Sequence, residues 1–337
     1  MNSDLQKTVH YTTESQKICA NLIKYIPNNV QLIEPFVGGG DLINLFPNHS
    51  WEKFDIEDNG NNIVQDTLKR PPLYKNKWVI TNPPYLAQNK ARDKSIFDLY
   101  NTDDLYKAAI LSILDCEGGI LIIPTNFFTD ERSYEVREKF LNQFKILEIN
   151  VFTEPVFETT TYSICSFAFI RKKESDTTKQ VIKVNIKPEE KEVFITLYSD
   201  YKYRIAGEFY DKINSVDNIF SRLVVGNDTD KYITNIKLYA IDTRNERIRV
   251  EFDKKHFYGK ATDRTYATFI CDEKLDEDFE KLLINKFNFE LENFRKQYSD
   301  LSMTNYRDYN RKRISFTFAY NLMSKIYMEL KENNWFF

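Results

Sequence analysis

The tetrapeptide Asn82-Pro83-Pro84-Tyr85 has the residue types needed to hold a planar amine. Two consecutive prolines fix an extended turn that cannot continue the hydrogen bonding of a strand. Such a turn presents the Asn82 side-chain oxygen beside the Pro83 carbonyl, and two acceptors suit the two hydrogens of an NH2 group. Drawing those hydrogens out of the ring plane localises the nitrogen lone pair, which can then attack the methyl group of a sulfonium. Tyr85 offers an aromatic face for a planar substrate.

A second candidate segment, Glu34-Pro35-Phe36-Val37-Gly38-Gly39-Gly40, joins a predicted strand to a predicted helix. Glycines there let the backbone approach a ligand and aim amide N–H groups at it. A carboxylate at the end of the next strand can accept hydrogen bonds from both hydroxyls of a ribose. Asp55 and Glu57, which flank Ile56, are the two candidates, and either could instead be a solvated charge at a strand end. The segment predicts a nucleoside cofactor.

Strands alternate with helices over the first half of the chain, which predicts a mostly parallel sheet covered on both faces. A polar run at residues 171–179 predicts a boundary between a first domain, residues 1–173, and a second, residues 174–337. The final predicted helix could return to pack on the first domain. The predicted helices span residues 12–26, 41–46, 103–114, 134–144 and 315–330, and the predicted strands span residues 31–36, 51–56, 78–81, 119–123, 145–153 and 162–171.

Composition limits the class of protein. The 337 residues suffice for one large or two modest domains. With 47 basic and 50 acidic residues, a nucleic-acid partner would require basic side chains gathered on one face. The four scattered cysteines predict buried free thiols in a reducing cytosol. No Cys/His spacing suggests a metal, nothing resembles a signal peptide, and no apolar run approaches the ~20 residues that span a bilayer. We expect a cytoplasmic protein without metal or membrane segment.

In their order along the chain, Glu34–Gly40 and Asn82–Tyr85 resemble the motifs of the amino-methylating DNA methyltransferases of restriction–modification systems, with the gamma-type arrangement. The resemblance implies a seven-stranded, mostly parallel Rossmann-like sheet with a smaller C-terminal α+β target-recognition domain. It implies S-adenosyl-L-methionine as cofactor and methyl transfer to N6 of an adenine flipped out of a short double-stranded DNA site. A cognate restriction endonuclease would be a partner in function but would not form a complex with this protein. We expect the protein itself to be a monomer or weak dimer.

The resemblance also assigns roles outside the two motifs. Tyr11-Thr12-Thr13 resembles the contact with the methionine carboxylate, and Asp66 matches the acid that binds the cofactor's adenine amine. Phe157 stands where the family places an aromatic against the second face of the flipped base, although it could simply belong to the core. The implied cofactor contacts are Tyr11, Thr12, Thr13, Glu34, Pro35, Phe36, Gly38, Gly40, Asp55, Ile56, Glu57, Asp66 and Asn82, and the implied catalytic residues are Asn82, Pro83, Pro84, Tyr85 and Phe157.

Three features depart from the family. The glycine segment is closer in sequence to the alpha-type motif than to the gamma-type motif. Thr13 stands where proline is commoner, and no proline follows Phe157. The first two leave the overall order of motifs unchanged. The third weakens the assignment of Phe157.

Basic residues supply candidates for DNA contact. Arginine pairs bidentately with guanine, and both arginine and lysine neutralise phosphates. Acids are nearly as frequent nearby, so a solvated face with ordinary ion pairs is the alternative. A polar loop after the catalytic turn, which we expect to be mobile, is the candidate for contact with the target-strand backbone. The candidates are Lys90, Arg92 and Lys94 in that loop, and Arg244, Arg247, Arg307, Arg311 and Arg313 in the second domain.

Other functions remain open. The same turn also occurs in methyltransferases that act on a protein glutamine, and related turns occur in RNA methyltransferases. Those enzymes usually carry their extra domain before the glycine segment, whereas here the longer remainder follows the sheet. Cytosine N4 is less expected because serine usually replaces Asn82 for that substrate. A non-catalytic, methyltransferase-like DNA-binding subunit is the alternative from another class, and the intact motifs argue against it.

Overall fold

The computed structural model describes residues 15–157, 162–226, 230–305 and 310–332. The chain divides into two compact units. Unit 1 comprises Met1–Ile205 and Arg307–Asn310, and unit 2 comprises Ala206–Tyr306 and Arg311–Phe337. In the part of the chain that the structure describes, no helix is long and apolar enough to cross a membrane.

Unit 1 is built on a nine-stranded mixed sheet with the spatial order β3-β2-β1-β4-β5-β7-β6-β8-β9. The first five strands in this order run parallel to one another, and β6 runs parallel to β8. β7 is antiparallel to both of its neighbours, and β9 is antiparallel to β8. The strands are β1 (Leu32–Glu34), β2 (Trp51–Asp55), β3 (Ile63–Val64), β4 (Trp78–Thr81), β5 (Gly118–Pro124), β6 (Phe144–Phe152), β7 (Ile164–Arg171), β8 (Lys179–Lys187) and β9 (Lys191–Tyr198).

The central strands β4 and β5 are buried at nearly every position, as expected for parallel strands that are covered on both faces. The helices of unit 1 are α1 (Ser15–Cys19), α2 (Ser95–Tyr100), α3 (Leu105–Ser112) and α4 (Tyr134–Gln143). Single 3-10 turns lie at Ala20–Tyr25, Ile43–Leu45, Gln88–Lys90, Thr125–Phe128, Glu131–Ser133 and Ser199–Tyr201. All four cysteines, Cys19, Cys116, Cys165 and Cys271, are buried and free, as predicted.

The predicted α/β class with a large, mostly parallel sheet is confirmed, but the sheet has nine strands rather than seven. The two additional strands, β8 and β9, lie beyond the predicted boundary at residue 173, and unit 1 continues to Ile205. The polar run at residues 171–179 is therefore a connection within one sheet. In β8, Ile182, Val184 and Ile186 share a buried face, whereas the lysines lie on the more exposed opposite face. β8 pairs with β6 over five residue pairs.

Two predicted helices are shorter in the structure. The region 41–46 contains only the 3-10 turn Ile43–Leu45, because Pro47 disfavours helical geometry at the residue before it. The predicted helix 12–26 is α1 followed by the 3-10 turn Ala20–Tyr25, and its first residues lie outside the described part.

Unit 2 contains a four-stranded antiparallel sheet with the order β10-β13-β11-β12 and three helices. The longest helix, α6, begins where the Asp276 carboxylate accepts a hydrogen bond from the Phe279 amide at 2.8 Å. α6 packs on β12 and β11, and the final helix, α7, packs on α5, α6 and β10 within unit 2. The elements are α5 (Gly207–Asn214), β10 (Phe220–Arg222), β11 (Tyr232–Tyr239), β12 (Arg249–Phe252), β13 (Tyr266–Cys271), α6 (Glu277–Gln297), the short pair β14 (Thr304–Asn305) and β15 (Lys312–Arg313), and α7 (Phe316–Glu332).

Candidate active site

The predicted cofactor and catalytic segments follow three neighbouring parallel strands. The glycine segment follows β1, Asp55 ends β2, and Asn82 comes directly after β4. The strand order reverses between β1 and β4, and ligands of open α/β sheets bind outside the carboxyl ends of strands at such a reversal. The fold therefore brings the two segments, which are far apart in sequence, to the same edge of the sheet.

Asp55 is held against the glycine turn by backbone amides. Its Oδ2 accepts a hydrogen bond from the Gly38 N–H at 2.8 Å, and its Oδ1 accepts one from the Glu57 N–H at 3.0 Å. Gly38 and Gly40 adopt φ values of 48° and 79°, in the left-handed region that glycine enters without strain. Asn59 donates a further hydrogen bond to the Gly38 carbonyl at 2.9 Å. Each Asp55 oxygen keeps a second lone pair that could accept a ligand hydroxyl.

Glu57 differs from Asp55 in its surroundings. Ile56 and Glu57 follow the last residue of β2, and the side chains of both are exposed. Asp55 is half-buried and fixed in orientation before any ligand arrives, whereas a ligand would have to order Glu57. The geometry thus favours Asp55 as the carboxylate that faces a ligand at the turn.

Glu34 is 1% exposed and connects the two segments from inside the sheet. Its Oε1 accepts hydrogen bonds from the Thr81 hydroxyl at 2.5 Å and from the Phe36 N–H at 3.2 Å. Burial raises the pKa of Glu34 well above its ordinary value, which favours the neutral carboxyl. Because Thr81 directly precedes Asn82, Glu34 ties the start of the glycine segment to the start of the catalytic turn.

Asp66 is brought to the same region by its neighbours. The Thr67 hydroxyl donates a hydrogen bond to the Pro35 carbonyl at 3.0 Å, and Leu68 lies in an apolar cluster against which Phe36 packs. The Asp66 carboxylate accepts hydrogen bonds from the amides of Leu68 and Lys69, both at 3.2 Å. Its loop is therefore attached to the glycine segment, as a shared cofactor site requires.

The turn Asn82–Tyr85, which is predicted to be catalytic, is largely buried. Asn82 and Pro84 are half-buried, Pro83 is buried, and Tyr85 is only 7% exposed. The Tyr85 hydroxyl lies 2.6 Å from Asn82 Oδ1 and 2.7 Å from the Ile122 carbonyl oxygen of β5. Burial raises the pKa of this hydroxyl well above its ordinary range, so it remains protonated.

The segment after the turn is attached to the start of α3. The Leu105 N–H donates to the Leu86 carbonyl at 3.1 Å, and the Gln88 N–H donates to the Asp103 carbonyl at 2.8 Å. The basic residues predicted to contact DNA follow this attachment, and all three are exposed: Lys90, Arg92 and Lys94.

Phe157 is 5% exposed and follows β6. β6 runs parallel to β5, so its carboxyl end lies at the same edge of the sheet as the catalytic turn. The position agrees with a residue that borders the crevice, and its burial agrees equally with a place in the core.

Asn310 also reaches this edge, and its location could not be deduced from the sequence. The Ser163 hydroxyl donates a hydrogen bond to Asn310 Oδ1 at 3.1 Å, and the Thr125 N–H donates to the Ser163 carbonyl at 3.0 Å. Thr125 directly follows β5, so Asn310 lies beside the carboxyl end of that strand. The basic pattern of residues 305–313 predicts an interacting segment but carries no signal for this long-range contact.

The predicted DNA-contacting arginines of unit 2 differ in their environments. Arg244 is exposed, whereas Arg247 makes ion pairs with Glu292 at 3.2 Å and with Asp300 at 3.1 Å. Arg311 and Arg313 are half-buried, and Arg313 lies in β15. Four predicted site residues lie outside the described residues: Tyr11, Thr12, Thr13 and Arg307.

No three His, Cys, Asp or Glu side chains within the described ranges come together as a metal-binding group. The sequence matches no protein-family model and no curated protein.

Several solved structures are similar to the chain. A modification subunit of a candidate type I restriction enzyme from Vibrio vulnificus YJ016 is 13% identical over 64% of this chain and 55% of that protein, with a TM-score of 0.44. A candidate class I S-adenosylmethionine-dependent methyltransferase from Listeria monocytogenes is 13% identical over 55% and 67%, with a TM-score of 0.42. The methyltransferase subunit of a type I restriction–modification system from Streptococcus thermophilus is 14% identical over 54% and 48%, with a TM-score of 0.40. The matched region spans about half of the first and third proteins.

Proposed function

We propose that this protein is an S-adenosyl-L-methionine-dependent methyltransferase that acts on the N6 amine of adenine in double-stranded DNA. One observation carries the proposal: the Asn82–Tyr85 turn and the glycine turn adjoin at the strand-order reversal, linked by the hydrogen bond from Thr81 to Glu34. The proposed nucleoside site and the proposed amine-binding turn are therefore neighbours, which supports a transfer between their ligands.

The residues at the glycine turn fit the proposed cofactor. Asp55 is oriented to accept hydrogen bonds from ribose hydroxyls, and Gly38 and Gly40 adopt positive φ and carry no side chain that would block a ligand there. The loop of Asp66 is attached to Pro35 and supplies a carboxylate for the adenine amine. When bound, the cofactor supplies an electrophilic methyl group on a sulfonium.

The chain's own residues would prepare the acceptor. The Asn82 amide oxygen and the Pro83 carbonyl accept the two amine hydrogens, which turns the nitrogen lone pair out of the base plane. Phe157 borders the extruded base, which must leave the duplex to reach a crevice at a sheet edge. The exposed Lys90, Arg92 and Lys94 follow the turn closely and are placed to neutralise phosphates of the target strand.

We assign sequence discrimination to unit 2 together with the segment that ends at Asn310. The proposed biological role is protection of DNA against a cognate restriction endonuclease. The cytoplasm is the compartment in which such an enzyme meets DNA.

The decisive experiment supplies cofactor with a radiolabelled methyl group and unmethylated genomic DNA, followed by nucleoside analysis. We expect label on N6-methyladenine. Label only on cytosine, on RNA or on a protein glutamine would refute the adenine assignment. DNA binding without transfer to any of these would favour a non-catalytic subunit.

Asn82→Ala should lower the transfer rate by roughly 100-fold or more, since it removes an acceptor that acts on the reacting group. Cofactor affinity should fall by less than about tenfold, because the glycine turn, Asp55 and Asp66 supply most of the implied cofactor contacts. Asn29→Ala, at an exposed position before β1, is the matched control and should leave both quantities unchanged.

A further inference from the structure

The glycine turn after β1 is held on both sides of its first glycine. Glycine has more conformational freedom than any other residue, so three glycines in a row keep one shape only where other groups fix their peptide units. The Gly38 N–H donates to the Asp55 carboxylate at 2.8 Å, and the Gly38 carbonyl accepts from the Asn59 side-chain NH2 at 2.9 Å. Asp55 ends β2 and Asn59 lies in the loop that follows, so this part of the chain fixes the peptide units on either side of Gly38.

The loop of residues 57–62, which joins β2 to β3, is closed by its own side chains. The Asn59 N–H donates to Asn62 Oδ1 at 2.8 Å, and the Asn62 NH2 donates to the Glu57 carbonyl at 2.9 Å. β2 and β3 pair in parallel, which fixes the two ends of the loop on the sheet. The Asn59 side chain is therefore exposed but is carried by an ordered loop.

The contact between Asn59 and Gly38 requires a donor at position 59. A backbone carbonyl can only accept, so the NH2 branch of the Asn59 amide is the one that faces Gly38. A carboxylate at this position would bring two oxygens together with no hydrogen between them. Asp55 has the opposite role, because its carboxylate accepts from the Gly38 N–H.

We propose that Asn59 is a positioning residue for the cofactor, which holds the glycine turn in its binding conformation before the ligand arrives. This inference rests on the proposed function, in which the turn binds S-adenosyl-L-methionine. Without the Asn59 contact, the peptide unit after Gly38 is free to rotate, and the cofactor must order it on binding. The cost of fixing the backbone of about one residue corresponds to roughly a tenfold loss of affinity.

Calorimetric titration of the whole protein with S-adenosyl-L-methionine tests the inference. Asn59→Ala should weaken binding by roughly tenfold and raise the KM for the cofactor by a similar factor. Its kcat at saturating cofactor should stay within about threefold of the wild type, because the Asn82–Tyr85 turn is unchanged. Asn61→Ala, at an exposed asparagine of the same loop, is the matched control and should leave affinity and KM unchanged.

A pair of aspartate variants separates positioning from charge. Asn59→Asp keeps the size of the side chain but replaces the donor that faces Gly38, whereas Asn61→Asp adds the same charge to the same loop and leaves the contact intact. We expect Asn59→Asp to bind the cofactor at least roughly tenfold more weakly than Asn61→Asp. Equal affinities of these two variants, or wild-type affinity in Asn59→Ala, would overturn the inference.

Hydrogen exchange in the ligand-free protein tests the same contact without the cofactor. The chain has nine glycines, so labelling with 15N-glycine gives a small set of amide signals. The amides of Gly38 and Gly40 donate to Asp55 and to the Val37 carbonyl, and both should exchange roughly tenfold faster in Asn59→Ala but not in Asn61→Ala. Unchanged exchange in Asn59→Ala would refute the positioning role. Faster exchange together with a wild-type protein that binds no S-adenosyl-L-methionine would support the hold of Asn59 on the turn and refute the proposed function.

Discussion

Glu148 is a buried carboxylate whose replacement should weaken unit 1 in a way that depends on pH. Its side chain is 2% exposed, and four side chains donate to it. Asn21 and Asn185 donate to Oε1 at 3.0 and 2.7 Å, and Tyr25 and Lys24 contact Oε2 at 2.8 and 2.7 Å. A register shift in the pairing of β6 with β7, between Ile146 and Glu148, is of the kind that can turn a side chain from one face of a sheet to the other.

The magnitude follows from the pKa of Glu148. Burial acts to raise this pKa, but the hydrogen bonds from Lys24, Asn185, Tyr25 and Asn21 outweigh it and lower the pKa from 4.5 to about 2. A carboxyl whose pKa is lower in the folded state stabilises the fold above the unfolded pKa, and this contribution is lost as pH falls towards the folded pKa. The difference between the unfolded and folded pKa values of Glu148 corresponds to about 3 kcal/mol of folding stability at neutral pH.

Glu148→Gln should therefore reduce the free energy of unfolding by about 3 kcal/mol at pH 7. The difference from the wild type should shrink by about 1.4 kcal/mol at about pH 3.5, one unit below the unfolded pKa. Urea unfolding followed by tryptophan fluorescence measures both quantities. Glu192→Gln, at a position that is 58% exposed and paired with Lys183, is the control and should cost less than about 0.5 kcal/mol. A difference independent of pH would refute the linkage argument.

Two further comparisons test the assignments at the glycine turn and in unit 2. Asp55→Asn should weaken S-adenosyl-L-methionine binding by at least about tenfold in calorimetry, and Glu57→Gln by less than about threefold, because only Asp55 is held at the turn. The opposite ranking would assign the ribose contact to Glu57. Arg244→Ala should weaken DNA binding and reduce its salt slope by about one, whereas Arg247→Ala should change neither, because Arg247 is paired with acids. Equal effects of the two arginines would show that these ion pairs open on binding.

Sequence patterns predicted those parts of the fold in which local signals are strong. β4 spans Trp78–Thr81 as predicted, because a buried apolar run meets a pair of prolines there. β8 and β9 were not predicted, because each strand is buried on one face only and carries lysines and other polar residues among its apolar residues. The 21-residue helix α6 was also missed, although Asp276 precedes it as a cap and its apolar residues recur at helical spacing.

The candidate site was likewise predictable only in part from the sequence. Residue types and order predicted chemistry at the glycine turn, at Asp55 or Glu57, and at Asn82, and these assignments stay predictions. Contacts between distant segments were not predictable, and they determine the surroundings of those groups: the Thr81 hydroxyl on Glu34, the Tyr85 hydroxyl between Asn82 and Ile122, and Ser163 on Asn310. Each depends on the register of strands in the folded sheet, which no local pattern encodes.

Two buried carboxyls of unit 1 have pKa values that are shifted in opposite directions. Among the described residues, Glu34 receives hydrogen bonds from Thr81 and Phe36 but from no cation, and burial raises its pKa. Glu148 receives a lysine ammonium and stays charged well below neutral pH. The uncharged form is thus favoured for Glu34, which connects the glycine segment to the Asn82–Tyr85 turn. Glu148 is charged and lies in the network that fixes residues 21–25 to the sheet. Because Glu148 keeps its charge well below neutral pH, the network around it should be insensitive to pH near neutrality.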